Sequence, residues 1–291
     1  MSRKSILSKL VGVLLSIVVM GGGLIYAGEN KRGFFWLLGL SLWGLISLYF
    51  VCAEWVETIW LPLFLNLIWL IAFLVMLVDS YRLRGAAVWY RWSGLVVIML
   101  LLSLLYHKGL RQLYGAYRIP TNAMYPSVHG VIDGKTGDCV MLIKSKILSG
   151  DFRRGDIVAF DTSGIEMLMQ HNRRMGVMEA QVYMKRIAGL PGETIQIDPP
   201  HLIINGQRVT SPDIFRKQSV QEGGYPGYVS GTSYLVMPEE SLTLGQDEYF
   251  MLGDNSPNSL DSRAWGVVKR DAIIGKITKR YWPLSRFGKV E

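Results

Sequence analysis

The hydrophobic pattern divides the chain into two halves with different periodicity. Before residue 107, apolar residues run almost without interruption in four stretches, each close to the roughly twenty residues that cross the hydrocarbon layer of a membrane. The stretches are 10–27, 34–53, 59–78 and 87–106. Arg91 interrupts the last stretch, so its apolar core begins near Trp92. Residues 1–106 are therefore predicted to form a membrane domain with about four transmembrane α-helices.

The distribution of basic residues bears on the orientation of these spans. Two basic residues lie in the 29–33 connection and three lie in 79–91, whereas 54–58 has none. Because cytoplasmic loops are enriched in Lys and Arg, four spans place 29–33 and 79–91 in the cytoplasm. Both the N-terminus and the part after residue 106 then lie outside. Arg3, Lys4 and Lys9 oppose this arrangement, since their charges favour the cytoplasmic side.

The N-terminal sequence also resembles a targeting segment. The apolar stretch 10–27 follows "SRKS", as the core of a secretory signal peptide follows its basic start. It is longer than such a core and a second apolar stretch follows at once, so we expect it to be retained.

After residue 106 the pattern changes to short runs of apolar and β-branched residues between turn residues. The runs are "CVMLIKS", "DIVAF", "QVYMKRIAGL", "TIQI", "HLIINGQRV", "YLVM", "EYFMLG" and "AIIGKIT". Within the fifth run, "INGQ" predicts a hairpin with an Asn-Gly turn. Residues 107–291 are therefore predicted to form a mostly antiparallel all-β domain, and the polar, Gly-rich segment 211–235 a long surface loop or insertion.

Charge and composition exclude several classes of function. The first 106 residues carry 8 basic and 4 acidic residues and the rest carry 23 and 19, so the net charge of +8 is spread over both halves. No Lys/Arg stripe with interleaved aromatics occurs, which argues against nucleic-acid binding and favours contact with anionic lipid. Cys52 and Cys139 lie in different environments, and the four His residues have no ligand spacing. We expect no disulfide, no metal site and no cofactor.

Four stretches of the second half carry unusual combinations of residues. They are "IPTNAMYPS" (119–127), "RRGDIVAF" (153–160), "YMKRIAGLPGETI" (183–195) and "GDNSPNSLDSRAWG" (253–266). In this order and spacing they resemble the signature boxes of the bacterial type I signal peptidases, which are membrane-bound serine endopeptidases with a Ser–Lys pair. The resemblance covers about 160 residues, and its third and fourth stretches are the most specific because many positions match together.

A Ser–Lys mechanism makes a specific physical demand on Lys185. A serine hydroxyl attacks only when a base takes its proton, and a lysine is that base only when burial depresses its pKa. Strand alternation places Lys185 on the same face as Tyr183 and Ile187. The alternative is a surface lysine beside Arg186 that extends over the sheet. The resemblance implies the first interpretation, with Lys185 as general base.

The first box departs from the family at its central position. The family pattern is roughly Pro-Ser-x-Ser-Met-x-Pro, in which the second serine attacks, and here Ala123 stands at that position. Alanine has no hydroxyl and forms no acyl-enzyme. Thr121 carries a hydroxyl nearby, but the resemblance gives it a role other than nucleophile. Its hydroxyl and the backbone N–H of Ala123 form the oxyanion hole.

The same resemblance assigns the supporting residues and the substrate. Ser259 corresponds to the serine that orients the lysine amine, Asp261 and Arg263 to a buried ion pair, and Asp254 and Asn255 to the preceding turn. The substrate is the signal peptide of an exported preprotein, with small residues at −1 and −3. It lies extended along a cleft lined by Ile119, Met124, Tyr183 and Met184. The alternative for these four side chains is ordinary β core.

These expectations leave the activity of the chain open between two explanations. In one, Ala123 is an engineered Ser→Ala change that traps substrate, and the natural protein is an enzyme. In the other, the chain is a natural pseudo-peptidase that binds preproteins without cutting them. A soluble Ser–Lys autoprotease does not fit the four spans, and a transporter does not fit the few polar residues within them. The expected location is the bacterial plasma membrane, with residues 107–291 on the non-cytoplasmic side. The expected partners are lipid, signal peptides and the secretion translocon.

Overall fold

The computed structural model describes residues 3–18, 20–26, 29–52, 60–82, 114–131, 137–145, 152–176 and 181–290. The chain divides into two compact units, Met1–Arg111 and Gln112–Glu291. The apolar stretch 87–106, predicted as the fourth span, lies outside the described residues.

The first unit contains two long apolar helices that pair antiparallel. Its helices are α1 (Arg3–Val18), α2 (Gly22–Tyr26), α3 (Asn30–Cys52) and α4 (Trp60–Arg82). At one end of the α3–α4 pair, Arg32 Nη2 lies 2.6 Å from Asp79 Oδ1; further along, Trp43 Nε1 donates to the Leu65 carbonyl at 2.9 Å. The two helices occupy the predicted stretches 34–53 and 59–78. Of the described residues, only Leu63–Tyr81 is long and apolar enough to qualify as a membrane span by length and composition.

The predicted first span, 10–27, is not one helix. α1 ends at Val18, the chain turns at Gly21 with φ +78°, and the five-residue helix α2 follows. The backbone N–H of Gly23 donates to Ser16 Oγ at 2.8 Å, so α2 packs back against α1. The run of glycines explains the break, because glycine adopts positive φ freely and a Cβ on Gly23 would overlap the carbonyl of Gly12.

The second unit consists of two antiparallel sheets, which confirms the predicted β-rich domain. The larger sheet has the order β1-β2-β11-β3-β4-β9-β10, with β12 paired to β11, and the smaller has the order β7-β6-β5-β8. The larger sheet contains β1 (Tyr114–Arg118), β2 (Cys139–Lys144), β3 (Ile157–Asp161), β4 (Val182–Gly189), β9 (Glu248–Leu252), β10 (Val268–Lys269), β11 (Ile273–Trp282) and β12 (Gly288–Lys289). The smaller contains β5 (Thr194–Asp198), β6 (His201–Ile204), β7 (Gln207–Arg208) and β8 (Leu242–Thr243).

The structure contains the predicted Asn-Gly hairpin, but one of the predicted strands is absent from the described residues. Asn205 and Gly206 join β6 to β7 with φ of 50° and 77°, as a two-residue turn requires. The run "YLVM" is not a strand. Leu235 has φ 54° and buries its side chain in the core, while the Tyr234 N–H donates to the Arg263 carbonyl. Its apolar residues therefore fill a core position from a loop.

The predicted surface loop 211–235 is in large part a folded element of the core. It contains helix α6 (Asp213–Val220), and Phe215, Tyr228 and Leu235 are buried in one cluster with the smaller sheet. An eight-residue helix spans little more than two turns, which is too short to give a clear period of 3.6. Its polar residues lie mainly on the exposed face, apart from the buried Gln218. Two further helices, α5 (Glu166–Arg174) and α7 (Ser262–Trp265), complete the unit.

Replacement of Phe215 tests whether α6 belongs to the core. Phe215 is 0% exposed and Val220, on the same helix, is 58% exposed. We expect Phe215→Ala to lower the free energy of unfolding by about 3–5 kcal/mol, because it removes a buried ring and leaves a cavity. Val220→Ala should change it by less than about 0.5 kcal/mol. Urea unfolding of the whole chain in detergent, monitored by hydrogen exchange in β5 and β6, measures the free energy of unfolding of both variants. Equal effects of the two substitutions would contradict the assignment of α6 to the core.

Candidate active site

Lys185 lies in the middle of the larger sheet and is buried. Strand β4 pairs with β3 and β9, and Lys185 is opposite Val158. Its side chain is 5% exposed and faces a cleft of about 610 Å³. The amine lies 5.8 Å from the centroid of the Tyr183 ring, which shares its face of the strand. The side-chain amine makes no hydrogen bond or ion pair to any residue that the structure describes.

Burial lowers the pKa of Lys185 from 10.5 to about 8, because the ammonium is removed from water without a partner. The carboxylates of Asp261 and Asp254 oppose this shift, and the Arg263 guanidinium adds to it. The opposition is weak because each carboxylate has its own arginine. A lysine in this state can accept a proton near neutral pH.

A tight turn presents Ala123 to the same cleft. The Val128 N–H donates to the Met124 carbonyl at 2.9 Å, and Gly130 N–H donates to Asn122 Oδ1 at 2.9 Å, so the turn closes on itself. Asn255 holds it from the other side: its backbone N–H donates to the Ala123 carbonyl at 3.1 Å, and its amide to the Asn122 carbonyl at 3.1 Å. The predicted turn residue Asn255 thus fixes the backbone of the predicted nucleophile position.

The two predicted oxyanion donors line the cleft beside Lys185. Thr121 is exposed and Ala123 half-buried. The backbone N–H of Ala123 donates to no acceptor within the described residues, so it is available to an incoming oxygen. The Thr121 backbone is fixed by close contact with Gly130, where any Cβ would overlap it.

Ser259 faces the cleft with an unused hydroxyl. Its Oγ is buried and has no hydrogen-bond partner in the described part of the chain. The predicted hydrogen bond to the Lys185 amine is therefore absent from this structure, although both residues line the cleft. Gly253 explains how the serine fits, since a Cβ at Gly253 would overlap the Ser259 side chain.

Asp261 and Arg263 form a buried ion pair behind the cleft. Arg263 Nε and Nη2 lie 2.8 Å and 2.7 Å from the two carboxylate oxygens, and both side chains are nearly inaccessible. Arg263 also donates to the Val229 carbonyl at 2.8 Å and to Ser256 Oγ at 2.7 Å. Asp261 accepts from the Gly253 N–H at 3.0 Å. The pair therefore ties the loop before Ser259 to the segment after α6.

A second buried ion pair lies next to Lys185 in sequence. Arg186 Nε and Nη2 donate to the Asp254 carboxylate at 2.7 Å and 2.6 Å. Ser127 Oγ donates to the same carboxylate and accepts from Arg186 Nη2 at 2.9 Å, and Gln218 donates to the Asp254 carbonyl at 2.6 Å. Asp254 was expected only as part of a turn. Arg186, Ser127 and Gln218 carry no sequence signal for this network beyond their positions in or near the boxes.

The predicted cleft residues form an apolar floor. Ile119, Met124 and Met184 pack in one cluster with Ala159 and Ile277, while Tyr183 packs in the neighbouring cluster around Phe160 and Trp265. All four predicted residues also line the cleft. The four side chains therefore belong to the hydrophobic core and also line the cleft, so the two interpretations given for them are compatible. His171 of α5 and Gln181, which the sequence pattern does not single out, extend the wall.

Comparison with known proteins gives one consistent family. The model of the family described as "Signal peptidase, peptidase S26" matches residues 89–282. A signal peptidase I of Leptolyngbya laminosa is 33% identical over 190 residues, covering 65% of this chain and 79% of its own. Signal peptidase I T of Bacillus subtilis (strain 168) is 28% identical over 197 residues, covering 67% and 86%. A crystal structure of a signal peptidase I from Enterococcus faecalis V583 is 29% identical and covers 44% of this chain and 98% of its own, with a TM-score of 0.31.

The depressed pKa of Lys185 predicts a pH-dependent stability difference. Below pH 8 the lysine is charged in both the folded and unfolded states, so the folded protein bears the full cost of burying the charge. Above about pH 10.5 it is neutral in both, and the cost vanishes. We expect Lys185→Met to raise the free energy of unfolding at pH 7 by up to about 3 kcal/mol, with the gain lost between pH 8 and 10.5.

The matched control is Lys269→Met, whose side chain is exposed on β10. Urea unfolding at several pH values measures the differences for both variants. A gain for Lys185→Met that is constant with pH, or equal to that of Lys269→Met, would show that the lysine is fully charged when folded.

Proposed function

The chain belongs to the signal peptidase family, peptidase S26, and we propose that its cleft binds the signal peptides of exported preproteins. The observation that carries the proposal is a buried lysine with a depressed pKa, whose amine has no hydrogen-bond or ion-pair partner in the described part of the chain. It faces the same cleft as the turn that the first signature box forms. Lys185 is the general base, and position 123 is the place of the nucleophile. With Ala123, the chain binds substrate but does not cut it.

The proposed chemistry becomes complete when position 123 carries a serine. The neutral Lys185 amine takes the hydroxyl proton while Oγ bonds to the substrate carbonyl carbon. The carbonyl oxygen becomes negative and accepts from the residue 123 N–H and the Thr121 hydroxyl. The C–N bond then breaks, the lysine returns its proton to the leaving amine, and water hydrolyses the acyl-enzyme. With a pKa of about 8, about a tenth of Lys185 is neutral at pH 7.

The cleft geometry supports an extended substrate with small side chains. β1 ends the larger sheet in the strand order, and Tyr117, Arg118 and Ile119 at its end line the cleft. A peptide adds to such an edge through main-chain hydrogen bonds. The floor of Ile119, Met124 and Met184 is apolar, and we propose that it contacts the small side chains at −1 and −3.

Two origins of the inactive state remain distinct proposals. Either Ala123 replaces a nucleophile that the enzyme otherwise has, or the chain acts as a natural pseudo-peptidase that holds preproteins. The intact Lys185, Thr121 and Ser259 favour the first, because a site without catalysis would be free to lose them. In both, the chain resides in the bacterial plasma membrane with several spans and the second unit on the non-cytoplasmic side, where lipid and the translocon are its neighbours.

Restoring the hydroxyl tests the proposed site. We expect Ala123→Ser to cleave a purified preprotein after a small-x-small sequence, at a rate at least 10³-fold above the unchanged chain. The rate should rise with pH through about 8, as Lys185 loses its proton. Cleavage is measured in detergent by mass of the mature product. Ala116→Ser, which adds the same hydroxyl on the exposed face of β1, is the matched control and should stay inactive.

The companion variant Ala123→Ser with Lys185→Met should lose this activity while still binding peptide. Binding without cleavage by Ala123→Ser would favour the pseudo-peptidase. Cleavage by the chain with Ala123 would show that position 123 is not the nucleophile.

Ser259→Ala tests the positioning role of the unused hydroxyl. In the Ala123→Ser background we expect kcat to fall about 10–100-fold with KM nearly unchanged, because the hydroxyl orients the amine only during proton transfer. The pH at half-maximal rate should also move, since the lysine loses a polar neighbour. Ser259→Thr, which keeps the hydroxyl, should restore part of the rate. Equal loss in both variants, without a pH shift, would indicate a packing role alone.

A further inference from the structure

The contacts of α1 do not advance along α4 as those of a spanning helix would. Lys9 Nζ lies 5.0 Å from the centroid of the Tyr81 ring, and Ser16 Oγ lies 2.7 Å from Ser80 Oγ. Seven residues of α1 cover about 10 Å at 1.5 Å per residue, whereas the contacts on α4 move by one residue. The Gly21 N–H donates to Met76 Sδ at 2.9 Å, so the contact moves along α4 only after α1 has ended at Val18.

The α3–α4 pair provides the internal comparison. Arg32 contacts Asp79, the Leu40 carbonyl accepts from Trp69 at 3.1 Å, and Trp43 contacts the Leu65 carbonyl. Advancing along α3 thus moves the contact steadily back along α4, as expected for antiparallel spans. The contacts of α1 instead stay at Ser80 and Tyr81, near one end of α4.

Both ends of the predicted first span therefore lie at the same end of the α3–α4 pair. Its start meets Tyr81 through Lys9, and the chain just beyond it meets Asp79 through Arg32. In addition, sixteen residues give α1 a length of about 24 Å, less than the roughly 30 Å of a bilayer core. A segment that begins and ends at one level has not crossed the membrane.

The surface of α1 suits the boundary between lipid and water. Besides Lys9, its contacts to the rest of the unit include the small residues Gly12 and Ser16. Leu10, Leu14 and Ile17 form an exposed apolar face at i, i+4 and i+7. The sequence before this face is basic, with Arg3 and Lys4. An apolar face combined with cations is typical of a helix that lies in the headgroup region of anionic lipid.

We infer that α1 lies in the plane of the membrane at its cytoplasmic face, with its apolar side in the acyl boundary and its cations on anionic headgroups. The crossings before the second unit are then α3, α4 and the sequence-predicted span 87–106. Three crossings place all 8 basic residues of the first 106 on the cytoplasmic side and the second unit outside. The conflict between four spans and the basic N-terminus disappears. This inference does not depend on the proposed cleavage chemistry.

Nitroxide depth measurement tests the inference in the full chain, in vesicles that contain phosphatidylglycerol. Single cysteines replace Leu10 and Ile17 on α1, and Leu63 and Leu70 on α4, with Cys52 and Cys139 changed to alanine. The pairs match, because each is seven residues apart and the four side chains are 46–52% exposed. We expect Leu63→Cys and Leu70→Cys to differ in depth by about 10 Å and the α1 pair to have nearly equal, shallow depths. A difference on α1 as large as on α4 would overturn the inference.

Cysteine labelling in spheroplasts tests the side of the membrane. A membrane-impermeant maleimide should label Thr210→Cys, which is exposed in the second unit, in intact spheroplasts. Ser5→Cys should be labelled only after lysis. Labelling of Ser5→Cys in intact spheroplasts would place the N-terminus outside and contradict a cytoplasmic α1. Neither outcome depends on whether Ala123→Ser cleaves.

Discussion

The second unit is organised around one unfavourable feature, which is the burial of the Lys185 amine without a counter-ion among the residues that the structure describes. An isolated buried ammonium is costly, and a nearby free carboxylate would remove the cost by forming an ion pair. Asp254 and Asp261 are close enough to act on the Lys185 pKa, yet each is bound by its own arginine at two points. The two Arg–Asp pairs therefore keep the carboxylates in place and prevent them from neutralising the lysine.

The same pairs connect segments that are far apart in sequence. Arg186 follows Lys185 on β4 and holds the turn of Asp254 and, through Ser127, the end of the first box. Arg263 holds Ser256 and the segment after α6. Lys185, position 123 and Ser259 are thus fixed by groups that do not themselves face the cleft. The geometry of the cleft therefore depends on residues of the boxes that do not line it, such as Arg186 and Asp254.

The sequence predicted the features that depend on neighbouring residues and missed those that depend on contacts between distant segments. Alternation placed Tyr183 and Lys185 on one face, and the Asn205–Gly206 turn and most strands of the larger sheet follow from local residue preferences. The network of Ser127 and Gln218 did not follow, because partners 36 to 127 residues from Asp254 leave no local pattern. The sequence pattern did not predict α6 for a related reason. This helix is stabilised by the burial of Phe215 against distant residues and not by a local helical pattern.

The first unit shows a different limit of prediction from the hydrophobic pattern, which concerns the orientation of a helix in the membrane. Apolar length alone cannot separate a helix that crosses the bilayer from one that lies along it, because both expose apolar side chains to lipid. The distinguishing information is in the small residues: Gly21 and Gly23 reverse the chain, and Ser16 meets Ser80 at the end of α4. The basic residues bear on the same question, because the inferred in-plane α1 removes the conflict between a count of four spans and the charges at the N-terminus.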